Sequence, residues 1–415
     1  MNSNNQVDIV YNIDSRVIDS MLPDESLIQT TVTSPPYFDM KDYGVENQIG
    51  FGQTYNDYLD DLQSIFKAVL KKTKDDGTLW IVIDTFKRNH SVVPLPFDLA
   101  NRLKEVGWIF QDIIIWKKDK TVPWSSDGFV QRKIEYILFF SKGTKFKYNK
   151  DVTRVYDTQI LKRWWVKYPE RYNPRGKALD EIWEYPIPVQ GAWGDKYIRH
   201  FCPLPKEMVA TMISLSTDEN DIVLDPFAGS GAVLAQAAYM NRKYIGFELN
   251  SKYIEQFQNY LENTIEDGRK EYNSIKTSPE QENFEATIWK LRALKYGRVL
   301  LNTVEKQLCS KDGKVVVNQL DMQNDKMCVE YMFIVNSDIK EKYIELIPEI
   351  IKKKPLSLYG IIPTFKFSSQ KELDEKMYYK YSATNTYSYI KQSENSSKAK
   401  VFSKIKVDIN EQQYK

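Results

Sequence analysis

Two short stretches hold the residues that could do chemistry. In TVTSPPY (31–37) a serine and two prolines follow a β-branched run. Pro35 and Pro36 each fix φ and remove a backbone donor, so a central strand stops there and presents a rigid corner. In DIVLDPFAGSGAVLAQAAYMNRKYIGFELN (221–250) a strand ends at Asp225, a small-residue loop Ala228-Gly229-Ser230-Gly231 follows, and a helix opens. Glycines let backbone approach a ligand, and a helix N-terminus favours an anionic group. The next strand ends in an acid, Glu248, placed to hydrogen-bond a ribose. The third glycine of the dinucleotide fingerprint is missing, because position 234 is leucine. That weakens a pyrophosphate reading and suits a nucleoside carrying a small carboxylate. S-adenosylmethionine fits this combination better than NAD. A tight strand–helix turn beside an incidental acid is the bland alternative.

With both stretches in view, the chain resembles the DNA amino-methyltransferases of restriction–modification systems, in the β class where SPPY precedes the cofactor loop. The resemblance runs from about Val7 to about Ile265. It rests on Thr33-Ser34-Pro35-Pro36-Tyr37, on Asp225-Pro226-Phe227-Ala228-Gly229-Ser230-Gly231 and on Glu248 as the ribose-binding acid. NIDS (12–15), followed by LPDESLIQTTVTSPPY, matches the lead-in and makes Asp14 a cofactor-side carboxylate. HFCPLP (200–205) is similar to the segment around the methionine part of the cofactor and brings in Cys202. The implied fold is a doubly wound, mostly parallel, Rossmann-like α/β sheet, and the implied cofactor is S-adenosylmethionine. The strand before SPPY departs from the family, being the polar QTTVT; Cys202 and Leu204 stand where alanine and phenylalanine are more usual.

The implied chemistry accounts for the prolines. An exocyclic amine on a base is a poor nucleophile because its lone pair is delocalised into the ring. Ser34 Oγ and the Pro35 carbonyl, with Pro36 stiffening the corner, would hold both N–H groups out of the ring plane. Positioning of this kind can lower a barrier by several kcal/mol. Tyr37 supplies a ring for the flipped base to stack on. Transfer is then a direct displacement. Cytosine-C5 methylation instead needs a thiolate, and no Pro-Cys pair exists here. In the family that the chain resembles SPPY is commoner among cytosine-N4 enzymes, so the resemblance implies cytosine N4 through Ser34; adenine N6 is the alternative, and an RNA or protein amine a further one.

The elements that must position these residues alternate. Apolar spacing predicts helices over 55–70, 96–106, 205–215, 232–241 and 252–265. Strands are expected at 79–84, 108–116, 134–140, 221–227 and 244–248, with Gly77 as punctuation before the first of these. Such alternation argues for an open parallel α/β sheet. The strands ending at Thr33 and Asp225 should be neighbours, with the ligand crevice at their carboxyl ends.

The 415 residues exceed one ordinary core. A 42% hydrophobic and 27% charged composition is that of a soluble globular protein. Three cysteines without a CxxC and only two histidines, His90 and His200, speak against zinc and histidine chemistry, so no metal is expected. No apolar run suggests a membrane span, and a bacterial cytoplasmic protein, held at the nucleoid by DNA, is expected. Net charge is +2, but residues 141–179 hold eleven Lys or Arg against three acids, a local net of +8. Tyrosines and tryptophans interleave them. This is where the class inserts target recognition, and Arg154, Lys162, Arg163, Lys167, Arg171 and Arg175 are the candidate ligands of double-stranded DNA. The expected organisation is a catalytic half over 1–140, a recognition insert over 141–199, a cofactor half over 200–267, a linker over 268–283 and an α+β accessory domain over 284–415. Asp312-Gly313-Lys314 echoes a nuclease triplet by chance composition. A restriction endonuclease acting on the same site is the partner to expect.

Overall fold

The run Leu79-Trp80-Ile81-Val82-Ile83 is buried along its whole length, and its residues divide between two cores. Leu79, Ile81 and Ile83 pack with Tyr58, Leu62, Phe66 and Leu99 on one side; Trp80 and Val82 pack with Met208, Met212 and Val233 on the other. A strand covered on both faces shows no polar alternation. In this computed structural model the described residues are 7–42, 44–45, 47–119, 130, 132–156, 168–188, 204–276, 279–311, 313–323, 326–353 and 361–368. They form two units, Met1–Arg154 with Ala178–Thr277, and Val155–Lys177 with Ser278–Lys415.

The first unit holds β1 (Ile9–Tyr11), β2 (Ile28–Thr33), β3 (Thr73–Ile83), β4 (Phe86–Arg88), β5 (Ser91–Val93), β6 (Ile109–Lys117), β7 (Ile134–Ser141), β8 (Ile182–Glu184), β9 (Ile222–Asp225) and β10 (Lys243–Phe247). Its helices are α1 (Ile18–Met21), α2 (Tyr55–Lys72), α3 (Leu95–Glu105), α4 (Lys206–Ser216), α5 (Ala232–Tyr239) and α6 (Ser251–Lys276). The main sheet runs β1-β10-β9-β2-β3-β7-β6-β8. Neighbours are parallel except where β7 meets β3 and β6. This is the doubly wound, mostly parallel α/β sheet expected. The strands ending at Thr33 and Asp225 are adjacent, in register Ile28↔Ile222, Thr30↔Val223 and Thr31↔Leu224. From β2 the sheet continues to β3 on one side, and from β9 to β10 on the other, which makes their carboxyl ends the switch point. Among the described residues no helix is long and apolar enough to cross a membrane.

Three local expectations change. Gly77 does not end an element: β3 starts at Thr73, and the register shifts between Ile28↔Thr73 and Thr30↔Thr78. An added Cβ at Gly77 would collide with the Thr73 side chain, so glycine suits that irregularity. The polar QTTVT strand is fully buried, and Gln29, Thr30 and Thr33 pair across strands while the Thr31 hydroxyl is buried without a hydrogen-bond partner among the described residues. Thr30 and Thr78 hydroxyls meet at 2.8 Å, and Gln29 Nε2 donates to Asp76 at 3.2 Å. The stretch expected as a linker, 268–283, is helical where described. Gly268 lies against the Tyr239 ring and Tyr272 packs on the second core, so α6 continues to Lys276.

The second unit contains α7 (Pro279–Leu308), β11 (Gly313–Gln323), β12 (Lys326–Val335), α8 (Ser337–Lys353) and β13 (Ile361–Ser368). β12 is central, antiparallel to β11 and parallel to β13. Its own core draws on Phe284, Ile288, Val315, Tyr331, Phe333 and Ile347. Within this unit Arg292 Nε donates to the Pro169 carbonyl at 3.0 Å, and Lys295 pairs with Glu170 at 2.7 Å. The described residues within 155–177, from the middle of the basic insert, therefore group with the C-terminal elements.

Candidate active site

The ends of β2 and β9 are tied by one buried contact. Thr33 Oγ1 donates to Asp225 Oδ1 at 2.6 Å, and the same oxygen accepts the Phe227 N–H at 3.0 Å. Burial pushes the Asp225 carboxyl up to about 7. Asp225, read from the sequence as a cofactor residue, instead faces back into the sheet and joins the two motif-bearing strands. SPPY leaves from one side of this junction and the glycine loop from the other.

The loop is then shaped from behind. Ala228 N–H donates to the Phe247 carbonyl at 2.9 Å. Gly231 caps α5 with φ +77, and a Cβ there would collide with the Phe257 ring, so both conformation and space require glycine. Glu248 Oε2 accepts the Gly229 N–H at 2.8 Å and Oε1 accepts the Asn250 N–H at 2.8 Å. Burial raises the Glu248 carboxyl above its ordinary value. Asn12 Nδ2 donates to the Glu248 and Leu249 carbonyls at 3.0 and 2.8 Å, which fixes the lead-in against β10. Ser15 Oγ donates to the Pro226 carbonyl. Asp14 accepts the Arg16 N–H at 2.8 Å and pairs with its guanidinium.

Of the residues expected at the site, Asp14, Ser34, Pro36, Phe227, Gly229 and Glu248 line one cleft. Pro35, Ala228 and Ser230 are buried in the loops that carry it. Cys202 lies outside the described residues. Sequence reasoning missed Ser15, Val45, Gln48, Ile49, Pro226, Phe247, Leu249 and Tyr253 as cleft residues. Ser15 and Pro226 sit inside recognised motifs and were within reach. Val45, Gln48 and Ile49 come from the loop before α2, which carries no chemical signal of its own.

On the other flank of Ser34, Tyr37 Oη donates to Glu135 Oε2 at 2.9 Å and lies 3.5 Å from Ser34 Oγ. Desolvation and the facing Glu135 hold the Tyr37 phenol well above its usual range. Tyr58 Oη donates to the Pro36 carbonyl at 2.7 Å and holds the corner. Asp84, just beyond β3, is pushed up to about 6 by burial and by Glu135. Arg154 is pinned to Asp151 with its side chain 8% exposed, so it turns inward. Arg171 stacks over Tyr168 at 4.4 Å, and Arg175 is exposed. Lys162, Arg163 and Lys167 lie outside the described residues.

Residues 28–259, more than half of the chain, match the model of a family described as DNA methylase. The type II methyltransferase M.XycI of Xanthomonas campestris pv. cyanopsidis is 30% identical over 258 residues, covering 55% of this chain and 79% of that protein. M.Cfr9I of Citrobacter freundii, also a type II methyltransferase, is 29% identical, covering 57% and 81%. Among solved structures, the cytosine-N4-specific PvuII DNA methyltransferase aligns with TM-score 0.47 and 21% identity, over 64% of this chain and 92% of that one.

Proposed function

Since the chain belongs to the DNA methylase family, whose methyl donor is S-adenosylmethionine, we propose that it methylates cytosine N4 at a specific site in double-stranded DNA. The observation that carries this reading is the shared cleft. Ser34 and Gly229, far apart in sequence, line one space with Glu248.

The cleft's residues fit the cofactor. Glu248 and Asp14 offer carboxylates to hydroxyl groups, Gly229 admits close approach, and Ile49, Phe227 and Phe247 offer apolar faces. When bound, the cofactor supplies an electrophilic methyl group. Ser34 Oγ and the Pro35 carbonyl accept the two hydrogens of the amine and localise its lone pair. The two prolines and the Tyr58–Pro36 hydrogen bond keep that corner rigid. Tyr37 offers a ring to the extruded base. Serine at position 34 supports cytosine over adenine. The basic stretch 141–179 supports phosphate contact, with Lys162, Arg163, Lys167, Arg171 and Arg175 as its ligands. Residues 284–415, beyond the family match, serve recognition or a partner, and a restriction endonuclease of the same site is the counterpart in a bacterial cytoplasm.

The test is transfer of tritium from methyl-labelled S-adenosylmethionine to duplex DNA, RNA and protein side by side. Label confined to duplex DNA is expected. Label in RNA or protein instead would overturn the reading.

A further inference from the structure

We infer that Glu135, which belongs to no motif of the sequence, is a positioning residue that sets Ser34 Oγ as a hydrogen-bond acceptor by acting through Tyr37. The inference rests on the reading that Ser34 receives the target amine. Glu135 stands near the start of β7, the one reversed strand of the sheet. Its antiparallel register with β3, Ile83↔Tyr136, carries residue 135 past the carboxyl end of β3, to the edge where Ser34 lies. A strand of the opposite sense would have delivered its first acid to the far edge.

The polarity of the contacts follows from the proton inventory. An ionised carboxylate accepts hydrogen bonds and has none to give, while a phenol and a serine hydroxyl each own one proton. Tyr37 commits its proton to Glu135 at 2.9 Å. The Val82 carbonyl, 3.5 Å from Tyr37 Oη, is likewise only an acceptor. The phenol oxygen therefore faces Ser34 with lone pairs, and the Ser34 proton turns to it across 3.5 Å. What Ser34 Oγ then presents to the cleft is a lone pair. An exocyclic amine brings two N–H donors, so this is the orientation that can receive it. Without an acceptor at residue 135, the Tyr37 proton is free to turn to Ser34. The serine proton then points at the amine and opposes it.

Glu135 is kept in place by an ion pair with Lys118, the residue after β6. The two side chains pair with 12% and 16% exposure. Asp84 and, next to it, Arg132 are further charged groups on this flank.

The experiment measures duplex-DNA methylation kinetics in a set of variants. Replacing the pair together, Lys118→Met with Glu135→Met, removes the acceptor without leaving an orphaned charge. That variant is expected to lose about tenfold in kcat, with KM for S-adenosylmethionine within about twofold of wild type. Glu135→Gln keeps an amide oxygen that accepts from Tyr37, so its kcat should stay within about threefold of wild type. In a Ser34→Ala background the paired replacement should cost nothing further. If the paired variant does not fold, Tyr37→Phe cuts the same link, and the same loss and the same non-additivity with Ser34→Ala are expected. Wild-type kcat in the link-breaking variant, or an undiminished loss in the Ser34→Ala background, overturns the positioning role. A wild-type chain that methylates no duplex DNA would instead overturn the reading of the site.

Discussion

The junction of the two motif strands makes stability depend on pH through Asp225. Burial raises its carboxyl from 3.8 to about 7, so the folded chain holds this proton more tightly than the unfolded one. For an acid shifted upward the contribution is full below the unfolded value and is lost as pH rises through the folded one. From about pH 5 to titration at about 7 is two units, each worth about 1.4 kcal/mol, so the protein should lose about 3 kcal/mol from this group by about pH 8. Asp225→Asn removes the titration and keeps the geometry, because Thr33 and Phe227 both donate to the one oxygen, Oδ1, that asparagine retains. Asp84, raised to about 6, adds a smaller fall of the same sign and remains in both proteins. Urea unfolding of both proteins, without cofactor, at a series of pH values reads the difference. The wild-type curve should fall more steeply by about 3 kcal/mol across that window, and parallel curves would refute the assignment of a buried, proton-holding Asp225.

Other consequences are open to direct measurement. Glu248→Ala should weaken S-adenosylmethionine binding by about 1.5–3 kcal/mol in calorimetry, and unchanged affinity in a folded variant would remove Glu248 from the site. Gly231→Ala combines a left-handed backbone with a collision at Phe257, so a stability loss above about 1 kcal/mol is expected in thermal melts. An unchanged melting temperature would contradict that geometry. Alanine at Lys162 and Arg163 should lower DNA affinity and flatten its salt dependence by about 2 in log–log slope, with cofactor binding intact. An unchanged slope would move phosphate contact away from these two residues.

Legibility in the sequence followed how local each cause was. The adjacency of β2 and β9 was readable because both motifs interrupt strands at their carboxyl ends, and in a parallel sheet those ends share an edge. The facing of Asp225 was not, since a carboxylate at a strand end can point to a ligand or to the next strand, and only the neighbour's Thr33 hydroxyl decides. The same dependence on a partner strand explains QTTVT, whose polarity looks wrong for a central strand until Thr78 and Asp225 are placed beside it. Polar composition suggested a linker from Gly268, yet the missing side chain there is what lets α6 pass Tyr239. Glu135 gave no signal at all. Its place depends on the reversed direction of β7, which the apolar run IEYILFF does not encode.

The central claim, that Ser34 and the glycine loop form one pocket for methylating a cytosine amine, is tested most directly by mass spectrometry of nucleosides from duplex DNA treated with the wild type and with Ser34→Ala. N4-methylcytosine is the expected product of both, with kcat in the variant lower by about tenfold or more and KM nearly unchanged. N6-methyladenine would contradict the choice of base, and 5-methylcytosine would contradict the mechanism as well.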